Sequence, residues 1–225
     1  LTGGKLASGI AKKAFSKNNK PLTELAKEAN NKILEEMKKE GINLNRKEAL
    51  WSTGVAAVRL LDNEIEFFNI TDCLILAVFS NGSSKLLGKY IDHDEESLIK
   101  WKILADKKVK NIREKLKQQI DKVRRTANIK YGSLNGDPRA AKFFNYGKVK
   151  LDKIKSIILF TDGFFLPKED PKEPENWQLF VSLYKKSGLK GILKHIRTLE
   201  NSDPCCWKYP RFKKHDDATA IGIDF

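Results

Sequence analysis

Apolar residues recur at helical spacing in the first part of the chain. Between Leu22 and Lys39 they return every three or four residues, which places them on one face of a helix. These positions are Leu22, Leu25, Ala26, Ala29, Ile33 and Met37. Gly41 follows as a stop signal, and a shorter helix is predicted from about Lys5 to Ser16. The pattern therefore predicts two amphipathic helices that pack on another layer.

The periodicity changes to that of β-strands after Trp51. The segments STGVAAVRLL, EIEFFNIT and DCLILAVF follow one another, and Asp62-Asn63 and Asn81-Gly82 are predicted to form tight turns. Because the runs are strongly apolar and closely joined, we expect an antiparallel meander that is covered on both faces. Two later runs, SIILF and the C-terminal ATAIGIDF, predict further strands.

The longest helical pattern runs from about Asp94 to Arg125. Its apolar stripe consists of Ala105, Val109, Ile112, Leu116, Ile120 and Val123. Lysines and arginines crowd the opposite face, which is typical of a solvated helix surface. Two more helices are predicted, from Trp177 to Lys186 and from Leu189 to Glu200. The segment 128–149 is expected to be a loop with one short helix after Asp137.

The length and amino-acid composition exclude several classes of protein. With 40% hydrophobic residues in 225, the chain can form a core, and its length favours one domain. No apolar run reaches the roughly 18 residues of a membrane span, so we expect no membrane partner. The first 20 residues lack the apolar stretch of a secretory signal, and the cysteine pattern favours a reducing, cytoplasmic compartment. The three cysteines show no CxxC spacing, which argues against a zinc site or a disulfide framework.

Four carboxylates adjoin apolar strand patterns without an evident packing reason. Asp72 opens DCLILAVF, Asp162 follows IILF, and Asp216 and Asp217 precede ATAIGI. Carboxylates at strand ends can converge on hard cations such as Mg²⁺ or Mn²⁺, and Gly163 would let the chain turn sharply beside an ion. Taken alone, each of these aspartates is more typical of a turn or a helix cap than of a metal ligand.

Other common catalytic motifs are absent from the sequence. The three histidines form no HExxH pair, and no GxSxG segment is present, so zinc peptidases and serine hydrolases lack support. The segment LTGGK lacks the upstream glycine of a phosphate-binding loop, and Lys5 is followed by Leu6 rather than Ser or Thr. The aspartates remain the strongest candidates for chemistry.

Taken in order, several segments resemble the protein phosphatase 2C family of metal-dependent serine/threonine phosphatases, in particular its bacterial members. LTGGKLASGIAKKAF resembles the end of the Asp-Gly-x-Gly-Gly segment and the helix after it. NITDCLILAVFSNG resembles the stretch around Gly-Asp-Ser, with Thr71 and Cys73 in place of glycine and serine. ILFTDGFF resembles the Ser-Asp-Gly motif, and HDDATAIGI resembles the closing segment. YGSLNGDPRAA is similar to a segment of bacterial members.

The resemblance implies an α+β fold, a four-layer α-β-β-α sandwich with helix pairs outside two antiparallel sheets, over one domain spanning residues 1–225. It also implies Mn²⁺ or Mg²⁺, as two ions with a third, weaker one. Asp162 and Asp216 would hold the same ion, and Asp72 would join Asp162 at the third. Thr161, Gly163 and Asp217 would support these ligands from turns. The reaction would be hydrolysis of phosphoserine or phosphothreonine by a metal-activated water.

The family's first metal-bridging aspartate and its first strands would fall before Leu1. We therefore expect the natural protein to carry an upstream Asp-Gly, and we expect residues 1–225 alone to hydrolyse phosphate poorly. An enzyme of this kind would act on a phosphorylated protein produced by a serine/threonine kinase. The sequence gives no indication of the oligomeric state.

Two other functions compete with this interpretation. The first is a catalytically inert relative that binds a phosphoprotein or another partner through the same fold. The second is nucleic-acid binding, which the net charge of +14 and the basic helix face suggest. We rank nucleic acid third, because the cations are spread through the chain without interleaved aromatic residues. An upstream Asp-Gly in the complete protein would favour the enzyme over the inert relative.

Overall fold

The described part of the chain, residues 2–17 and 20–225, folds into helices packed on two antiparallel sheets in this computed structural model. The helices are α1 (Gly3–Phe15), α2 (Leu22–Lys39), α3 (Glu95–Asp106), α4 (Ile112–Lys115), α5 (Lys117–Arg125) and α6 (Trp177–Ser202). The strands are β1 (Val55–Leu60), β2 (Glu64–Ile70), β3 (Leu74–Phe79), β4 (Ser84–Leu86), β5 (Asn145–Lys150), β6 (Ile154–Phe160) and β7 (Ala220–Asp224). None of the described helices combines the length and apolar character that a bilayer span requires.

The strands form two sheets, with orders β1-β2-β5 and β4-β3-β6-β7, and every pairing is antiparallel. The predicted meander is therefore wrong after β2, because β3 pairs with β4 and β6 instead. The chain changes sheet at Thr71, which has a left-handed φ of 68°. The Thr71 hydroxyl donates a hydrogen bond of 2.8 Å to the Gly132 carbonyl oxygen, which holds this unusual turn in place.

Three hydrophobic clusters separate four layers. The cluster between the sheets contains Ile65, Phe67, Ile75, Ala77, Leu87, Ile154, Ile157 and Leu159. Helices α1 and α2 cover the outer face of the first sheet, where they pack on Phe68 and Ile70. Helix α6 covers the second sheet over Leu76, Ile158 and other buried side chains. The expected α-β-β-α sandwich is thus confirmed, and burial on both faces explains the continuous apolar runs of β3 and β6.

Helix α6 contains the two helices predicted between Trp177 and Glu200. Gly188 interrupts them with φ 62° and ψ −164°, a conformation that a residue without a Cβ adopts without steric cost. The two segments together serve as the helical pair on the second sheet. Helix α2 spans Leu22–Lys39 as predicted, and its six apolar positions are all buried.

The predicted helix from Asp94 to Arg125 is divided into α3, α4 and α5. Lys108 and Asn111 have left-handed φ values of 52° and 56°, which end one helix and delay the next. The apolar stripe nevertheless faces inward, since its members contribute to a separate cluster with residues near the C-terminus. That cluster includes Trp101, Ala105, Ile112, Leu116 and Cys206.

Strand β5 was not expected from the sequence, which predicted a loop over 128–149. The segment NYGKVK has few large apolar residues, and it becomes a strand by pairing with β2 as an edge. The short helix predicted after Asp137 is present as a 3₁₀ helix, Pro138–Phe143. Asp137 caps it by accepting a hydrogen bond of 2.9 Å from the Arg139 N–H.

Replacing Phe68 by Ala tests the packing of the helices on the first sheet. Phe68 is fully buried, and its ring lies 5.6 Å from Phe15 and 4.9 Å from Phe144, centroid to centroid. We expect F68A to lower the free energy of unfolding by roughly 3–5 kcal/mol in urea titrations. The control is Y146A on the paired strand β5, because Tyr146 is 64% exposed and its loss should have a small effect. Equal losses in both variants would contradict this description of the core.

Candidate active site

Strand register brings three of the predicted aspartates to one end of the second sheet. Leu74 of β3 lies opposite Phe160 of β6, and Phe160 lies opposite Ala220 of β7. Asp72 stands just before β3, Asp162 just after β6, and Asp216 shortly before β7. Because neighbouring strands run antiparallel, the start of β3, the end of β6 and the start of β7 meet at the same edge.

Asp72, Asp162 and Asp216 line one cavity of about 160 Å³ at this edge. The same cavity is lined by Asp92, His93, Asp94, Glu200, Arg211 and Lys213. Within residues 2–17 and 20–225, no three His, Cys, Asp or Glu side chains come close enough to hold a single metal ion. The structure therefore gathers the three carboxylates around one space without assembling a ligand cluster from them.

The three carboxylates interact electrostatically. Burial, followed by the charges of Asp72 and Asp216, raises the pKa of Asp162 to about 7, although the Gly163 N–H and Lys213 oppose the shift. Burial also raises the pKa of Asp72, against the effect of His93, and Asp216 adds to the rise. Negative charges that repel one another in a desolvated cavity are what a divalent cation neutralises. Their oxygen atoms are the donors that Mg²⁺ and Mn²⁺ prefer, so the residues fit such an ion chemically.

Asp216 is held in place by a network from helix α6. Its Oδ1 accepts a hydrogen bond of 2.7 Å from the Asp217 N–H and lies 2.6 Å from Lys213 Nζ. Arg197 Nη2 donates to the Asp216 carbonyl oxygen at 2.6 Å, and Nη1 donates to buried Glu200 at 2.5 Å. Glu200 Oε2 also lies 2.9 Å from His215 Nδ1. The end of α6 thus positions the backbone that carries Asp216.

Gly163 has a different role from the one predicted. The sequence suggested a sharp turn beside an ion, but Gly163 is not among the glycines with a left-handed φ. It lies in a short 3₁₀ helix, Asp162–Phe164. A Cβ at this position would lie 2.8 Å from the Asp217 carbonyl carbon and 2.9 Å from Ala218 Cα, and closer still to the Asp217 carbonyl oxygen. Glycine is required here because two backbones touch.

Thr161 and Asp217, the other two residues predicted to support the ligands, connect strand ends and do not line the cavity. Thr161 N–H donates to the Thr219 carbonyl oxygen at 3.0 Å, and Thr219 N–H donates to Thr161 Oγ1 at 3.2 Å. Asp217 is exposed and does not line the cavity, so only its backbone contributes. The structure therefore places Thr161 and Asp217 behind Asp162 and Asp216.

Sequence reasoning missed the segment Asp92-His93-Asp94. All three residues line the cavity. The His93 ring stacks on Tyr131 with a centroid distance of 4.0 Å and an interplanar angle of 10°, and its Nε2 lies 3.8 Å from Asp94 Oδ2. Burial raises the pKa of Asp94, and His93 opposes this rise. The available signal was an acid-His-acid triplet directly before a helix, in the segment IDHDEES.

The beginning of β1 approaches the cavity from the first sheet. Gly54 lies so close that a Cβ there would be 2.7 Å from Cys73 Sγ and 3.1 Å from Asp72 Oδ1. Burial, together with the charges of Asp72 and Asp162, raises the pKa of the Cys73 thiol well above its usual range. Gly54 and Cys73 therefore pack against Asp72 as uncharged neighbours.

Asp203, a buried carboxylate at the end of α6, orders the loop that leads to Asp216. It accepts hydrogen bonds of 2.9 Å from the Trp207 N–H, the Tyr209 N–H and Arg211 Nη1. Burial alone would raise the pKa of Asp203. The backbone hydrogen bonds and the Arg211 guanidinium outweigh this effect, so the pKa lies below its ordinary value of 3.8.

We predict that G163A separates the two backbones that meet at this edge. The new methyl group faces fixed backbone atoms, so the free energy of unfolding should fall by roughly 1–3 kcal/mol. Hydrogen exchange at residues 216–218 should become faster. G9A is the control, because Gly9 lies in α1 and an added Cβ there would meet nothing within 4 Å, so alanine should stabilise the helix. An unchanged stability of G163A would refute the close contact.

We also predict a pH-dependent loss of stability in D203N. A lowered pKa in the folded state stabilises the protein above the unfolded pKa, and this contribution disappears as the pH falls through the folded pKa. D203N should therefore lose about 2 kcal/mol at pH 7, and the difference from wild type should shrink below about pH 4. Urea titrations between pH 3 and 7 measure it. D106N, at an exposed pair with Lys102, should show little loss at any pH, and a pH-independent deficit in D203N would contradict the assignment.

Comparison with known proteins identifies the fold. No family model and no curated protein matches the chain. The crystal structure of the Mycobacterium tuberculosis serine/threonine phosphatase PstP/Ppp matches with a TM-score of 0.58 and 12% identity, over 99% of this chain and 82% of that chain. The catalytic domain of PstP in complex with two manganese ions matches with a TM-score of 0.54 and 12% identity, over 98% and 80%.

A eukaryotic phosphatase shares the same architecture. The serine-threonine phosphatase 2C from Toxoplasma gondii matches with a TM-score of 0.53 and 13% identity, over 91% of this chain and 66% of that chain. These similarities span the helices and both sheets of the sandwich. The chain therefore has the protein phosphatase 2C fold that its sequence motifs predicted.

Proposed function

We propose that this chain is part of a metal-dependent phosphatase that hydrolyses phosphoserine and phosphothreonine monoesters on proteins. One observation carries the proposal: Asp72, Asp162 and Asp216, from three separate strand ends, line one cavity, where burial and the charges of the other two carboxylates raise the pKa of Asp162. Similarity to the fold of serine/threonine phosphatases supports the same reaction class, since one of those structures contains two manganese ions.

Asp162 and Asp216 would together hold one Mn²⁺ or Mg²⁺ ion of a two-ion centre. Asp72 would join Asp162 at a third, weaker ion. When bound, the ions supply a water of lowered pKa and neutralise charge on the phosphoryl oxygens. A raised pKa of about 7 means that Asp162 is partly protonated at neutral pH, so metal and proton compete for this side chain.

The chain's own residues would fix the geometry of this centre. Lys213 and the Asp217 N–H hold the Asp216 carboxylate through Oδ1, and the Gly163 N–H donates to Asp162 Oδ1 at 2.9 Å. Each carboxylate keeps other lone pairs for a ligand. Asp72 and Asp162 flank paired strands that are buried on both faces, so the sandwich anchors the backbone next to each of them.

The substrate would be a phosphorylated protein made by a serine/threonine kinase, and the compartment would be the cytoplasm. The cysteines support a reducing environment, because Cys73, Cys205 and Cys206 are all unpaired. Thiols that persist without pairing are typical of intracellular proteins.

The experiment measures hydrolysis of p-nitrophenyl phosphate by the complete gene product that contains this sequence. We expect activity that requires Mn²⁺, is abolished by a chelator and returns when Mn²⁺ is added back. D162N should reduce kcat/KM by more than about 100-fold, since even residues that only orient metal ligands affect activity by 10–100-fold. D217N is the control, because Asp217 lies outside the cavity and its variant should retain most activity.

A folded protein that binds Mn²⁺ but hydrolyses no phosphate ester would refute the enzymatic proposal. It would favour the inert relative that binds phosphoproteins. Circular dichroism and calorimetric titration with Mn²⁺ are needed to establish folding and metal binding before that conclusion is drawn. Activity of D162N equal to wild type would remove Asp162 from the centre.

A further inference from the structure

A second and larger cavity, of about 640 Å³, opens beside the candidate active site. The two cavities share Asp72, His93, Asp94, Phe212, Lys213 and Asp216. The remaining wall includes the segment 47–54 and residues of helices α4 and α5. A molecule bound at the candidate active site could therefore extend directly into this space.

This remaining wall contains three cations without a partner. Lys47, Arg113 and Arg124 line it, and within residues 2–17 and 20–225 their side chains take part in no hydrogen bond or ion pair. We call these three residues and the space they line the basic cavity. Glu48 lines the same wall, but its carboxylate is already paired with Arg46 and Arg125.

Neighbouring cations on the same helix behave differently. Arg125 Nε donates to Glu48 Oε2 at 3.1 Å, and Lys117 Nζ donates to Asp121 Oδ2 at 2.9 Å. These groups are neutralised within the protein, and they do not line the cavity. Arg113 and Arg124 are thus cations of α4 and α5 that border the cavity and remain available for a ligand.

Arg124 interacts with one of the carboxylates that the two cavities share. Burial raises the pKa of Asp94, and the charge of Arg124 is one of the groups that oppose the rise, so the two side chains are within electrostatic reach. Asp94 lines both cavities. An anion beside Arg124 would therefore lie next to a phosphoryl group held at the candidate active site.

The size of the basic cavity also fits an extended ligand. A volume of about 640 Å³ is within the usual range of ligand sites and exceeds what one phosphoryl group occupies. Ser52, Thr53 and Ser133 add hydroxyl groups to its lining, and Trp51 adds an aromatic ring that packs tightly against Gly3. Several residues of a peptide can be accommodated.

We propose that the basic cavity binds anionic side chains that flank the phosphorylated residue of a protein substrate, with Arg113 and Arg124 as its main donors. Guanidinium groups bind carboxylates and phosphates through paired hydrogen bonds, which makes arginine the suitable residue type. The inference rests on the proposed function and narrows its substrates to acidic or multiply phosphorylated sequences.

The test compares three phosphothreonine peptides that differ only in their flanks: neutral, acidic with Asp and Glu, or carrying a second phosphoserine. The readout is the ratio of kcat/KM for each anionic peptide to that for the neutral peptide. We expect the R113A/R124A double variant to lower this ratio about tenfold, mainly through KM. The acidic and doubly phosphorylated arms show which anion the cavity prefers.

The matched control is K115A/K122A, which removes the same charge from the same helices at positions outside the basic cavity. Its ratio should stay close to that of wild type. An equal fall in both double variants would mean that net charge alone attracts acidic substrates, and this result would overturn the proposal. An unchanged ratio in R113A/R124A would do the same.

Binding without catalysis separates this inference from the proposed function. Fluorescence polarisation with the labelled peptides in a chelator measures affinity when no metal is present. Arginine-dependent preference for anionic flanks in a protein without phosphatase activity would support the cavity and refute the enzyme. Activity on p-nitrophenyl phosphate without any such preference would support the enzyme and refute the cavity. If a single-stranded RNA bound more tightly than the peptides, and this binding required the two arginines, the proposed role of the cavity in peptide binding would also be refuted.

Discussion

The backbone contact between Gly163 and the Asp217-Ala218 segment sets the distance between the ends of β6 and β7. Because a side chain at residue 163 would occupy the space of a carbonyl group, the loop after β6 and the loop before β7 can approach this closely only with glycine at that position. Asp162 and Asp216 are each adjacent to this contact in sequence. Their proximity is therefore a property of the backbone, and it does not require attraction between two side chains that in fact repel each other.

Much of the sandwich could be predicted from the sequence because most helices and strands have a buried face with a clear period. Leu25, Ala29 and Ile33 marked α2, and Ile157 to Phe160 marked β6. Partner choice could not be predicted in the same way. An apolar run such as LILAVF indicates burial on both faces, but the change of sheet depends on Thr71 and on its hydrogen bond to Gly132, far away in sequence.

Two further differences between the predicted and the observed elements depend on the rest of the fold. Lys108 and Asn111 interrupt an otherwise continuous helical stripe, and nothing in the residue types KKVKN excludes a helix as glycine or proline would. Strand β5 forms because β2 offers it hydrogen bonds, while its own sequence has a weak strand pattern. Both features depend on contacts that the full fold creates.

The candidate site was predictable only in part. Asp72, Asp162 and Asp216 each interrupt an apolar run, so their residue type and position carried a signal. Lys213 carried none, because it reaches Asp216 from a loop whose shape depends on Asp203 and its hydrogen bonds. Arg197 and Glu200 look like ordinary charged positions of helix α6. Residues that hold a site in place from irregular segments have no period by which a sequence can reveal them.

The half-buried thiol of Cys73 affects how this site would respond to oxidative stress. Peroxides react with thiolates, and the surroundings of Cys73 keep its sulfur protonated at neutral pH. Exposed Cys205, away from the carboxylates, is the thiol that an oxidant would reach first. Oxidation would therefore modify Cys205 at the surface before it altered the cavity.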